Sequence, residues 1–482
     1  MLKRLYRKYL KNWNLTRRLR KFFCLERATI VRAQGSSEDK KFAAKPTKPN
    51  FIFSNTFGIF LKLTLFVVLG TLIAEEGAVP IPSNRRKTLL VLSSKGGGGH
   101  ISASLTLKKL LEKEFDIHVI YPIDQLRIWG ISSGEQLYNS MLQDGWTRSM
   151  NFIVRHVAPR LFRSREHKLE NIIHSSIESY QPDLVISLIP FVNYPASEAA
   201  RKKQIPYLLV TTDNDLRHWV LGLEKLRHPD FKVTIGSDLA TSRELLLEKK
   251  IPETAIETIG LPLRPEFIMT KDEKKIREEF AISDDKPVIL IMMGGAGASK
   301  AYDYAKKIGQ IDLSSHLIVI MGRNEKMRKD LEKVVLHPSN SMTILGFTDR
   351  VADLMAISHV IITKPGPGTI CEAIAMKLPI LVDNTDKLLF WERINVELVL
   401  RYGIGEPITH PAEIPYLIET YLQDQAMKEQ VRNCFVLVPP NHFHLRIRGI
   451  IEEMITVRKE PVAVEQTKAD ISLTKVVLQT DL

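Results

Sequence analysis

This sequence predicts two successive α/β units, each a doubly wound, Rossmann-like parallel sheet with helices on both faces, and a cleft between them. Three observations carry that expectation. Short apolar runs alternate with amphipathic helical stretches in two consecutive series. Each series opens with a strand that ends in a glycine-rich turn, Lys95-Gly96-Gly97-Gly98-Gly99-His100 in the first and Gly294-Gly295-Ala296-Gly297 in the second. Between them Gly260-Leu261-Pro262-Leu263-Arg264-Pro265 has the composition of a hinge. Doubly wound sheets bind ligands at the carboxyl ends of their strands, so two facing crevices make one cleft.

Ahead of these units the chain reads differently. Residues 1–50 hold 15 Lys and Arg against three acids (Glu26, Glu38, Asp39), so this arm carries nearly all of the +13 net charge. The remaining body is close to neutral, which argues against a nucleic-acid binder. Leu2, Tyr6, Tyr9 and Trp13 recur at helical spacing among the basic residues. That suits a basic amphipathic helix on an anionic membrane; a disordered basic tail and an Arg-rich transit peptide are compatible with the same residues. Within 51–75, Thr56 to Ala74 gives about the ~20 apolar residues needed to cross a bilayer, with Lys62 as its only charge, and the segment is expected to be a transmembrane or membrane-anchor helix. Charge bias would put the N-terminus in the cytoplasm and the body outside. Cys24, Cys371 and Cys434 are odd in number and far apart, which suggests neither a disulfide framework nor a zinc site and points to a reducing compartment.

The first unit, 85–262, is expected to contain strands at 88–93, 118–121, 184–188, 207–211 and 232–235, with a helix over about 102–114 after the first turn. The second, 263–440, has candidate strands at 287–293, 316–321, 342–345, 360–363 and 379–382. A last helix is expected over 445–457, within a closing segment 441–458, and 459–482 reads as a polar tail.

The turns carry the candidate chemistry. Gly98 and Gly99 let the backbone pass close to a ligand, and His100 stands where an imidazole could take a proton from an attacking hydroxyl; a histidine packing the helix start is the plainer reading. The acid expected ~20 residues beyond a dinucleotide-binding glycine motif is not clear after Gly99, and no P-loop ending in Gly-Lys-Ser/Thr occurs. A dehydrogenase and an ATPase are therefore disfavoured. Gly294, Gly295, Ala296 and Gly297 can present backbone N–H groups to a diphosphate, with Arg264 adding charge across the hinge. Phe347 and Thr348, just beyond a strand, could edge a flat base. In Val360-Ile361-Ile362-Thr363-Lys364-Pro365-Gly366-Pro367-Gly368-Thr369-Ile370-Cys371-Glu372-Ala373 a buried strand meets a helix, with Thr369 at the expected N-cap. Gly366, Pro367, Gly368 and Thr369 make an anion-attracting start, and Glu372, one turn on, suits sugar hydroxyls better than phosphate. Glu392 and Asn395, three apart on one helix face, could meet several hydroxyls; a solvated surface acid is the plainer reading of Glu392.

Taken together, these motifs resemble those of glycosyltransferase family 28, in particular its monogalactosyldiacylglycerol synthase and processive diacylglycerol β-glycosyltransferase group. The resemblance rests on 93–100, Gly260-Leu261-Pro262-Leu263-Arg264-Pro265-Glu266-Phe267, 293–297 and 362–373, and extends over roughly 88–450. Glu135, Tyr138, Asn139, Thr212, Asp213, His218 and Trp219 look like weaker acceptor-side counterparts. The resemblance implies a GT-B fold, with an acceptor domain, a UDP-sugar domain and a last helix crossing back. It implies inverting hexosyl transfer from a UDP-sugar to diacylglycerol on a membrane, with no metal and no cofactor. His100 would be the catalytic base or its close helper, and Arg264 with the 294–297 turn would face the diphosphate. Phe347 and Thr348 would flank uracil, Glu372 would hold the ribose, and Glu392 and Asn395 would meet the donor sugar. Such an enzyme would sit on the membrane, single-pass or monotopic, with its catalytic domains facing the cytoplasm, where nucleotide sugars are; the charge bias at 51–75 points the other way.

Three departures matter. Trp391 stands where the group usually has Gln, Asp386 and Lys387 occupy a loop usually richer in glycine, and Ser187-Leu188-Ile189-Pro190 lacks a histidine common there. They leave the donor sugar and the acceptor preference open. A polyprenyl-linked acceptor with an N-acetylglucosamine donor, and a non-catalytic nucleotide-sugar-binding membrane protein, are the alternatives. His100 together with Glu372, Glu392 and Asn395 argues against the second.

Overall fold

The computed structural model describes residues 85–96, 98–126, 141, 146–237, 240–294 and 298–457. The chain divides into Met1–Ser83 and Asn84–Leu482, and both sheets belong to the second of these. The basic arm, the apolar 51–75 stretch, Gly97, Glu135, Tyr138, Asn139, Gly295, Ala296, Gly297 and the 459–482 tail lie outside the described residues. Among the described residues no helix is long and apolar enough to cross a membrane.

Two six-stranded, all-parallel sheets form the body. The first contains β1 Lys87–Leu92, β2 Phe115–Ile120, β3 Leu184–Ser187, β4 Tyr207–Val210, β5 Phe231–Ile235 and β6 Ile256–Thr258, in the spatial order β2-β1-β3-β4-β5-β6. The second contains β7 Val288–Met292, β8 His316–Ile320, β9 Ser341–Leu345, β10 Val360–Thr363, β11 Ile380–Asp383 and β12 Gly405–Ile408, in the order β12-β11-β10-β7-β8-β9. The expected pair of doubly wound sheets is present. Continuous apolar strands such as Leu89-Leu90-Val91-Leu92 follow from burial of both sheet faces. Side chains alternate along a strand, so Leu90 and Leu92 join one core layer while Leu89 and Val91 join the other. That second layer is closed by Phe443, Ile447, Ile450, Ile451 and Met454 of the last helix, Phe443–Val457, which packs on the first sheet.

Two strands escape the apolar-run pattern. β6 and β12 are edge strands of three and four residues, and Gly405-Glu406-Pro407-Ile408 reads as a loop because only one edge of it has to pair. The first helix, Gly98–Leu111, begins four residues earlier than its apolar pattern suggests, since it recruits Gly98 and Gly99 into its first turn.

Each sheet reverses its order around its first strand. β1 pairs with β2 on one side and β3 on the other; β7 lies between β8 and β10. The crevices at these switch points are thus shaped by the turns that leave β1, β3, β7 and β10. The chain crosses between the sheets beside Gly260, which has φ +98°. Asn441, on the return crossing, donates from Nδ2 to Leu261 O (2.9 Å) and to Cys371 Sγ (3.2 Å), while its Oδ1 accepts from Phe443 N. A Cβ on Gly260 would lie 2.4 Å from the Asn441 carboxamide. Gly260→Ala should therefore cost about 2–4 kcal/mol, from left-handed backbone strain plus overpacking. Gly449→Ala, in the last helix with open space beside it, should stabilise by about 0.5–1 kcal/mol. Urea denaturation of both variants checks the contrast.

Candidate active site

On the second sheet, β7 runs into Gly294, whose φ of +71° is left-handed. β10 ends at Thr363 and is followed by Lys364, Pro365, Gly366 and the helix Pro367–Ala375. Gly366 occupies the N-cap, not Thr369. Pro367, with φ preset for a helix, starts it there and places Thr369 inside the first turn. The expected helix start is thus present, but its cap is bare backbone, with open space beside Gly368.

Four charged side chains line this crevice in two pairs. Arg264 donates to Glu372 Oε1 from Nε (3.2 Å) and from a terminal nitrogen (2.7 Å), and its guanidinium lies 4.6 Å from the Phe267 ring centroid. Burial pushes the Glu372 carboxyl up, and the adjacent Arg264 opposes it. The residues expected on diphosphate and on ribose therefore hold each other. Glu266, 3.7 Å from Arg264, receives Lys109 from the helix that carries His100 (2.9 Å). The second pair joins Lys364 Nζ to Glu392 Oε1 at 2.5 Å. Sequence reasoning gave Lys364 no role; its position directly after the central strand of a switch point is the signal that could have marked it.

Asn395 is fully buried. Its Nδ2 donates to Pro365 O (2.9 Å), and its Oδ1 accepts from Asn214 Nδ2 of the first sheet's unit (2.9 Å). In these contacts it braces the turn from beneath. Glu392 precedes it at the N-cap of the helix Arg393–Tyr402. Phe347 is 74% exposed, with Arg323 5.3 Å from its ring centroid, and Thr348 Oγ1 accepts from Arg350 N. Both follow β9, the outermost strand, at the same carboxyl end of the sheet as the crevice and two strands from β7.

On the first sheet, His100 is the third residue of its helix, flanked by the exposed Gly98 and Gly99. Its Nδ1 lies 3.3 Å from Thr212 Oγ1, and the Trp219 ring is 6.2 Å away, centroid to centroid. Burial lowers the His100 pKa, and the opposing attraction of Asp213 does not restore it, so the imidazole is neutral at pH 7. Burial by itself would raise Asp213, but His218 and the Trp219 N–H (2.9 Å) hold that carboxyl below its usual range. His218 Nε2 stands 3.6 Å from the same carboxylate. The structure thus brings His100, Thr212, Asp213, His218 and Trp219 into one cluster.

A clasp joins the halves. Asn151 donates to Leu388 O and accepts from Phe390 N, both at 2.9 Å, and Arg217 donates to Phe390 O. Trp391 is buried with Phe390, Leu389, Met141 and Met150, 5.7 Å from His218 ring to ring. Trp391 is therefore a contact between the two halves. Asp386 pairs with Lys300 at 2.8 Å. Burial pushes the Cys371 thiol up to about 12, which makes it no nucleophile. Among the described residues no cluster of three or more potential metal ligands occurs.

Comparison with known proteins agrees with this geometry. Residues 288–386 match the glycosyltransferase family 28 C-terminal domain. The chain is 27% identical over 445 residues to the probable monogalactosyldiacylglycerol synthase 2, chloroplastic, of Oryza sativa subsp. indica, covering 83% of this chain and 87% of that one. It is 25% identical over 402 residues to the processive diacylglycerol beta-glucosyltransferase of Bacillus licheniformis, covering 79% and 99%. The crystal structure of Acinetobacter baumannii MurG superposes with a TM-score of 0.50 at 14% identity, over 77% of this chain and 100% of that one, a likeness of fold alone. These relatives bear out the resemblance read from the motifs: residues 288–386 form a glycosyltransferase family 28 C-terminal domain, and the chain is similar over most of its length to the diacylglycerol glycosyltransferases of plants and bacteria.

Proposed function

We propose that this chain transfers a hexosyl group from a UDP-sugar to the free hydroxyl of 1,2-diacylglycerol, with inversion. The observation that carries the reading is the pairing of two switch-point crevices: one holds a neutral histidine, and the other holds bare N–H groups and two cations. His100 takes the proton of the acceptor hydroxyl, the oxygen attacks the anomeric carbon from one face, and UDP departs from the other. The C–O bond to phosphate breaks as the glycosidic bond forms. Backbone N–H groups at Gly368 and Thr369, with Lys364 and Arg264, stabilise the departing diphosphate without a metal. Galactose and glucose are both admissible donors, and with Trp391 turned into the clasp, the sugar contact falls to Glu392.

The lipid reading has its own support. Residues 146–165 carry Arg148, Arg155, Arg160, Arg163 and Arg165 without an acid, all five exposed, beside Phe152 at 60% exposure and Val157 at 41%. Exposed apolar residues ringed by arginine suit an anionic membrane surface. The basic arm 1–50 and the apolar 51–75 stretch would add an anchor, with the catalytic units on the cytoplasmic side.

The deciding assay gives full-length protein UDP-galactose, UDP-glucose or UDP-N-acetylglucosamine, with diacylglycerol or a polyprenyl-linked acceptor. Turnover is expected with diacylglycerol. Turnover only with the polyprenyl acceptor would move the function there, and UDP binding without turnover on any pair would sink both. His100→Ala should cut kcat by ~100-fold or more while sparing UDP affinity. Because burial lowers the His100 pKa beneath its ordinary 6.5, the base form persists across neutral pH. The acid limb of the rate profile should therefore fall below pH 6.5, and a limb centred above it would remove His100 from the role.

A further inference from the structure

Lys364 and Glu392 form a pair whose two members suit different parts of one ligand. Glu392 is only 5% exposed, and a carboxylate so deeply placed needs a cation or several hydrogen-bond donors. Lys364 supplies the cation, although 41% of its side chain remains exposed to the crevice. Its stem passes between two glycine turns: a Cβ on Gly294 would meet Lys364 Cε at 3.0 Å, and one on Gly366 would meet Nζ at 3.4 Å. The amine therefore sits where the ends of β7 and β10 converge, the place at which a doubly wound sheet receives a phosphorylated ligand.

From this geometry we infer that Lys364 is a diphosphate-binding cation which Glu392 holds until a complete donor arrives. Resting on the reading of this crevice as the donor site, the inference adds a selection step. The diphosphate of the donor takes the lysine in charge-assisted hydrogen bonds. Hydroxyls of the hexose then donate to Glu392, so the buried carboxylate is never left alone. UDP by itself can claim Lys364 but offers Glu392 nothing in return. The pair thereby favours UDP-sugar over free UDP and weakens retention of the product. Arg264 and Glu372 repeat the arrangement at the ribose end, but there UDP carries both the diphosphate and the hydroxyls, so that pair does not discriminate.

Calorimetry with UDP and with uridine on the full-length chain tests this. Glu392→Gln removes the competitor for the amine and should tighten UDP by about three- to tenfold while lowering kcat with the UDP-sugar. Lys364→Met should weaken UDP by about tenfold or more and leave uridine unchanged, and Lys364→Arg should restore most of the loss. If Glu392→Gln leaves UDP affinity unchanged or weakens it, the exchange is overturned. Equal loss of UDP and uridine in Lys364→Met, without rescue by arginine, would make the lysine structural and overturn it too. Absence of UDP binding by the unaltered protein would instead remove the donor-site reading itself, a result distinguishable from both.

Discussion

The carboxamide of Asn395 is the contact on which the site depends most directly. Fully buried, it holds Pro365 O with one end and Asn214 with the other. Pro365 belongs to the turn that starts the helix Pro367–Ala375, and Asn214 is adjacent to Asp213 in the cluster around His100. One side chain therefore ties together two halves that are otherwise separate sheets. Truncating such a group would strand a carbonyl and an amide inside the protein, at about 1–3 kcal/mol each. The Asn151, Arg217 and Trp391 contacts at the clasp act in parallel, so the closed arrangement does not rest on one bond.

Electrostatics follow from this closure. Burial keeps His100 neutral and so competent to accept a proton, while Asp213 stays ionised because His218 and the Trp219 N–H satisfy it. On the donor side each cation already has a carboxylate partner, which avoids isolated buried charge when no ligand is bound. A ligand carrying both anionic and hydroxyl groups can replace both partnerships at once. Under the proposed function, these four side chains, Arg264, Glu372, Lys364 and Glu392, would be the partners that a nucleotide-sugar exchanges.

Much of the site was legible because glycine-rich turns and an apolar strand before a helix are local signals. Phe347 and His100 stand out by residue type and position alone. Helix-face spacing cannot report that Asn395 is buried against Asn214 of the other half. Composition favours Thr369 as the cap, whereas Pro367 fixes the helix start earlier through its own φ. Lys364 carries no local signal, because its placement depends on Gly294, some 70 residues away in sequence. Trp391 stood out only as an unusual residue until its packing against His218 gave it a place.

By itself the sequence determined the two parallel sheets, the turns after their first strands, the hinge and the likeness to glycosyltransferase family 28. These depend on hydrophobic period and on backbone freedom at glycine and proline, which act over a few residues. Tertiary structure decided which charges are paired, which polar groups are braces, and that two short edge strands complete the sheets. Those outcomes arise from contacts between residues far apart in the chain, where burial, and not local propensity, sets the energy of a carboxylate or an amide.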